Sequence, residues 1–218
     1  MTDSISVSEA PEAPAPEAKT RARRPVRTEV MPVLERLAAL YPKLFGAEFL
    51  PLKRGIYQDL QEAHPGSFEA AQLKAALAFH TRSSRYLAAL AGGRSRFDLA
   101  GKAVEALAPE HVYQALLEVF RRRQARSEED LTPKLVARIA RAQQVSGLSV
   151  RDYAERMRSR DEAANANLDA AMVEAQALEA KGEALQRAHA ASGQSVEAFA
   201  EMYGLDVRDV RRLLGKNA

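Results

Sequence analysis

Between residues 30 and 126, apolar side chains repeat with a helix's period only in short stretches, and proline or glycine closes three of them. Leu34, Leu37 and Leu40 share one face of a helix predicted from Met31 to Leu40. Tyr41-Pro42 ends it, because the residue before proline avoids helical torsions. Ile56, Leu60 and Ala63 mark a second helix, closed by Pro65-Gly66. A third runs from about Phe68 to Phe79, with Leu73, Ala76, Leu77 and His80 near one face. A fourth starts at Thr81 or Ser83, either hydroxyl being a suitable N-cap, and Gly92-Gly93 stops it after Leu90. Segments this short cannot form a long bundle or a large sheet; they bury their apolar faces by packing on one another.

One stretch departs from the helical period. Arg94-Ser95-Arg96-Phe97-Asp98-Leu99 alternates, and Ala100-Gly101-Lys102 offers a turn, so a short hairpin is predicted. Pro109 then opens a helix with Val112, Ala115, Leu116, Val119 and Phe120 inward, and it runs out in Arg121-Arg122-Arg123-Gln124-Ala125-Arg126. The fold class is therefore mostly α (α+β): a compact helical domain with a short β-hairpin, followed by an all-helical C-terminal extension.

The last ninety or so residues contain a repeat. Arg141-Ala142, Ser146-Gly147, Ser149-Val150 and Tyr153-Ala154-Glu155 recur at a constant offset as Arg187-Ala188, Ser192-Gly193, Ser195-Val196 and Phe199-Ala200-Glu201. In each copy Ser-Gly breaks one helix and Ser149 or Ser195 caps the next. A long helix from Glu162 to Ala190 is predicted between the copies, with Leu168, Ala171, Ala175, Leu178 and Leu185 along one side. Gly182 in that row weakens it as a coiled-coil seam.

Composition divides the chain in the same places. Residues 1–29 are rich in Ala, Pro, Glu and Ser, then basic at Lys19, Arg21, Arg23, Arg24 and Arg27, and read as a disordered basic arm. Residues 30–126 carry 14 basic and nine acidic side chains. Residues 127–218 carry 13 basic and 15 acidic ones. Lys74, Arg82, Arg85, Arg94, Arg96 and Lys102 face a single acid, Asp98, in their part of the chain. Such a concentration of charge attracts polyanions, or is simply a solvated face.

The chemistry this sequence excludes is broad. It has no cysteine, hence no disulfide, thiolate nucleophile or Cys-ligated metal. Gly-rich phosphate loops, a nucleophile elbow and paired-histidine zinc motifs are absent, and His64, His80, His111 and His189 are scattered. No stretch suits a membrane span, and the N-terminus is not a secretory signal. The expectation is a cytoplasmic protein that is not an enzyme and uses no metal or cofactor.

What remains is Thr81-Arg82-Ser83-Ser84-Arg85-Tyr86-Leu87. A helix start offers free N–H groups to phosphate, the hydroxyls add donors, Arg82 and Arg85 add charge, and Tyr86 adds an aromatic face for a base or ribose. The competing reading makes Ser83 a cap and Tyr86 and Leu87 core.

These residues belong to a larger pattern. Pro51-Leu52-Lys53-Arg54-Gly55-Ile56-Tyr57-Gln58-Asp59-Leu60 resembles the PLKxGIxxDL signature of the ProQ/FinO RNA-binding family. In order, Leu73-Lys74-x-Ala76-Leu77 resembles its LRxAL helix, and Thr81 through Leu87 its hydroxyl-rich segment ending in YL. Arg96-Phe97-Asp98-Leu99-x-Gly101 resembles its RxDLxG hairpin, Glu110-His111 its EH pair, and Leu40-Tyr41-Pro42-x-x-Phe45 its F-P-x-x-F segment with Tyr for Phe. The resemblance covers about residues 33–123 and leaves out the tail.

The resemblance implies a small helical domain with a hairpin that binds small regulatory RNAs and messenger 3′ ends. The favoured RNA is a terminator hairpin with a single-stranded U-rich 3′ tail, and some family members act as RNA chaperones. It implies RNA contact at Lys53, Tyr86 and Arg96, and duplex-phosphate contact at Thr81, Ser83 and Ser84. Lys74 stands where the family usually has Arg, Ala78 where some members carry another Arg, and Arg54 where an apolar residue is common. Charge adds Arg82 and Arg85 to the candidate RNA-binding set.

Two further readings concern the tail. Ala200, Gly204, Val210 and Leu213 have helix-turn-helix spacing, with Arg208, Arg211 and Arg212 on the second helix, which would suit a DNA-binding regulator. Alternatively the Ala-lined helix makes protein–protein or intramolecular contacts.

Overall fold

The computed structural model describes residues 27–214, without the side chains of residues 27–29, 212 and 213. The arm expected over residues 1–29 lies outside the described residues as far as residue 26. Residues 27–29 are not arm: they open helix α1 (Arg27–Leu40), which starts four residues before its predicted beginning and buries Val30 and Leu37.

Tyr41-Pro42 breaks this helix as expected, and Pro42 starts the single turn of α2 (Pro42–Phe45). Gly55, at φ +81°, supplies the left-handed residue that turns the chain into α3 (Ile56–Ala63). Helix α4 (Ala70–Thr81) begins two residues later than the spacing suggested. Glu69 caps it, accepting hydrogen bonds from the N–H groups of Ala71 (2.9 Å) and Gln72 (2.7 Å). Of the two candidate caps for α5 (Ser84–Leu90), Ser83 is the one used, accepting from Tyr86 N–H at 3.2 Å.

The hairpin is shorter than the alternation implied. Strand β1 (Arg96–Phe97) pairs antiparallel with β2 (Ala103–Glu105). Asp98 closes the turn by accepting from Gly101 and Lys102 N–H, with Gly101 at φ +74°. Leu52 joins β1 as a parallel third partner: Phe97 N–H donates to Pro51 C=O and Lys53 N–H to Phe97 C=O, both at 2.8 Å. The family-like segment 51–55 is thus stitched to the hairpin by main-chain bonds.

Helices α6 (Pro109–Gln124), α7 (Thr132–Ser146), α8 (Val150–Met157), α9 (Glu162–Ser192), α10 (Val196–Tyr203) and α11 (Val207–Leu214) complete the described chain. Both copies of the repeat form the same corner. Ser146 and Ser192 hydroxyls donate back to Gln143 and His189 C=O and accept from Leu148 and Gln194 N–H. Gly147 (φ +72°) and Gly193 (φ +62°) end their helices, and Ser149 and Ser195 cap the next. The equivalent rings of Tyr153 and Phe199 are fully buried.

Three cores result among the described residues. Leu37, Leu44, Leu60, Leu73 and Tyr86 centre the first, built from α1–α5. The second joins the apolar face of α6 (Tyr113, Leu116, Val119) to Leu135, Ile139, Tyr153, Leu168 and Ala171 of α7–α9. Phe199, Ala200 and Val210 form a small third core. Leu90 packs against both of the larger ones, so α5 is the element they share.

Candidate nucleic-acid interface

All the candidate residues except Lys74 gather in two places, joined by Ser83 and Tyr86 of the α5 start. The first is centred on the peptide of Leu52. Its N–H donates to Tyr86 Oη at 3.0 Å, and its C=O accepts from Arg96 Nη1 at 3.0 Å. Arg96 is thus held from below by main chain, and its side chain is only 13% exposed. Glu105 Oε1 faces Arg96 Nε at 3.4 Å and also accepts from the Arg54 N–H at 3.2 Å. Lys53 Nζ sits between both Asp59 oxygens at 2.8 and 3.1 Å, and that hydrogen bond raises its pKa, keeping the ammonium charged. Lys53, Arg54 and Arg96 are thus gathered around the Leu52 strand with a carboxylate facing each, Asp59 for Lys53 and Glu105 for both arginines, and Arg96 Nε is buried without a hydrogen bond.

Tyr86 does not have the role expected of it. The ring is 3% exposed, edge-on to His80 at 5.2 Å, and offers no face to a base. Burial raises its pKa, and its hydroxyl is the anchor for Leu52. The aromatic cue in the sequence was a core residue with a polar handle.

The second place is the turn from α4 to α5. Thr81 Oγ1 donates to Leu77 C=O at 2.9 Å, so this hydroxyl belongs to the end of α4 and not to a helix start. Ser83 is spent as the cap. Arg85 lies over the Phe49 ring at 4.5 Å and donates to Ala47 C=O. Arg82 and Ser84 are exposed. Arg122 of α6 clamps this turn from the other side: Nη1 donates to Arg82 C=O (2.8 Å) and to Ser84 Oγ (3.1 Å), while Nε pairs with Glu118. Lys74 is exposed on α4, two turns upstream of Thr81. Among the described residues, Lys74, Arg82, Arg94 and Lys102 have no carboxylate partner.

Arg122 and Glu105 complete these two places, and no local pattern marked them. Each reaches a partner 38 to 51 residues away. The run Arg121-Arg122-Arg123 showed charge but not which arginine turns inward.

The family model described as ProQ/FINO family matches residues 27–132. Residues 27–132 are a ProQ/FinO-family domain. RNA binding and RNA chaperoning are the general functions of that family, and they apply to this domain at that level. The ProQ/FinO domain takes in α1 through α6 and both strands and reaches the first residue of α7. No helix of the described residues is long and apolar enough to cross a membrane. In the tail, α10 and α11 form a helical hairpin on α9, and Arg211 is already paired with Glu197.

Proposed function

We propose that the ProQ/FinO domain binds hairpin RNAs that end in a single-stranded 3′ tail, such as small regulatory RNAs and messenger 3′ ends, and acts in post-transcriptional regulation in the cytoplasm. It does so as a binding protein and not as an enzyme. The observation that carries this reading is the clamped turn at Arg82–Ser84 beside the recessed Arg96. A-form RNA hides its major groove, so a protein grips its phosphates and its unpaired ends. Arg82 and Ser84 face solvent on a turn that Arg122 fixes, which suits duplex phosphates. Lys53, Arg54 and Arg96 gather around Leu52, with Arg96 donating to its C=O, which suits the terminal nucleotides of the tail. Tyr86 supports that cluster from within by holding Leu52.

The test is a binding titration at fixed salt with a GC hairpin carrying a U-rich 3′ tail, the same RNA with a 3′ phosphate, and the hairpin without a tail. The reading expects the blocked and tailless RNAs to bind more weakly. Arg96→Ala should cost on the order of 1–3 kcal/mol, and Arg82→Ala should lower the salt slope by about one. Equal affinity for all three RNAs would leave only a nonspecific basic face.

A further inference from the structure

Arg96 of β1 and Glu105 of β2 are cross-strand partners in the hairpin. Their pairing sets a carboxylate among the cations gathered around Leu52. A surface that only had to attract phosphate would carry cations alone. A carboxylate in their midst repels a phosphate at contact, and so narrows which part of an RNA can settle there.

Of the two carboxylates paired with these cations, Asp59 spends both oxygens on Lys53 Nζ. Glu105 does not. Its Oε1 accepts from Arg54 N–H at 3.2 Å and lies 3.4 Å from Arg96 Nε and 3.9 Å from Arg54 Nε. Arg96 Nε makes no hydrogen bond, so one main-chain donor and the attraction of two guanidiniums hold Oε1 in place. Oε2 accepts nothing from the described residues and keeps accessible surface, on a side chain that is 34% exposed. The Arg54 side chain beside it is 65% exposed. The cluster thus turns to solvent an oxygen that can only accept, next to a guanidinium that can only donate.

That pair of groups sorts the parts of an RNA end. The donors RNA can offer a carboxylate are ribose hydroxyls and base N–H groups, while its phosphates go to the guanidinium. A 3′-terminal ribose has two adjacent hydroxyls and its phosphate on the 5′ side, so it can meet both groups at once. We propose that Glu105 selects a free 3′ end: Oε2 accepts from a hydroxyl of the terminal ribose, Arg54 pairs with the 5′ phosphate of that nucleotide, and a 3′-terminal phosphate is turned away by the carboxylate's charge. The inference rests on the RNA-binding reading above and names the residue that gives it end specificity.

The experiment compares the full-length wild type, Glu105→Gln and Glu105→Ala at fixed salt by fluorescence anisotropy. Glu105→Gln keeps an amide oxygen for the Arg54 N–H while removing the charge; Glu105→Ala removes the acceptor as well. Loss of a negative charge strengthens all RNA binding, so the readout is a ratio between U-tailed hairpins that differ only in the last nucleotide: uridine, its 3′ phosphate, its 2′-deoxy and 3′-deoxy forms, and N3-methyluridine. Wild type should bind the uridine end about tenfold more tightly than the 3′ phosphate, and severalfold more tightly than at least one deoxy end. The phosphate ratio should fall to about twofold or less on Glu105→Gln, and the deoxy penalty should vanish on Glu105→Ala. Wild-type ratios preserved in both variants overturn the inference and leave the RNA-binding reading intact. A penalty for N3-methyluridine in place of the deoxy ends puts a base edge on Glu105 and also overturns it. A wild type that binds every tail and the tailless hairpin equally overturns the RNA-end reading itself, and the inference with it.

Discussion

His80 links the core of the ProQ/FinO domain to pH. Its ring is 3% exposed among Phe45, Phe49 and Tyr86, with centroids 4.8, 4.3 and 5.2 Å away, and Nε2 has no partner. Burial, helped by the charge of Arg85, pushes its pKa from 6.5 down to about 4. The unfolded chain binds a proton at this histidine below about 6.5, and the native protein only below about 4. Between these values the unfolded state holds more protons, so stability falls as pH falls. The effect is absent above the upper value and complete below the lower one. Each pH unit in that window is worth about 1.4 kcal/mol, so the whole interval amounts to about 3 kcal/mol. Carboxylates titrate in the same range, so the quantity to measure is the difference between wild type and His80→Leu. Urea denaturation followed by far-UV circular dichroism, from pH 7.5 to 4.5, gives both curves. The His80→Leu protein should lose about 2.5 kcal/mol less than wild type across that range. Parallel losses would refute a buried neutral His80. The consequence reaches the proposed RNA site, because the His80 ring lies edge-on to Tyr86 and Tyr86 holds Leu52.

Three other outcomes are expected. Tyr86→Phe strands the buried Leu52 N–H and should destabilise the protein by about 1–3 kcal/mol; a urea melt unchanged from wild type would place that donor elsewhere. Arg122→Ala frees the Arg82–Ser84 turn, and should weaken hairpin affinity severalfold while Arg121→Ala, whose side chain pairs with Asp161, should not; fluorescence anisotropy compares the two. Ser149→Ala removes the cap of α8 and should cost about 1 kcal/mol, read as a lowered thermal midpoint.

Features set by neighbours in the chain are legible in the sequence by itself. Tyr41-Pro42 has to end α1, Ser-Gly-x-Ser has to make a corner twice, and Pro109 has to start α6, because these follow from torsions and hydrogen bonds within a few residues. The basic character of residues 74–102 and the family motifs are equally plain. The ends of elements are less so: α9 continues to Ser192 because Gly193 and not Ala190 takes the left-handed torsion that stops it.

The tertiary structure alone decides what each marked side chain does. Tyr86 has the same local sequence whether its ring meets RNA or the core, and only the approach of Leu52, 34 residues away, settles that it faces inward. Arg122 is one of three consecutive arginines, and only the packing of α5 on α6 brings it to the Arg82–Ser84 turn. The apolar stripe of α6 is visible in the sequence, but not that it is shared with α7–α9 and so ties the extension to the RNA-binding domain. Periodicity says that a face is buried; which surface covers it depends on contacts between distant segments, and those exist only once the chain has folded.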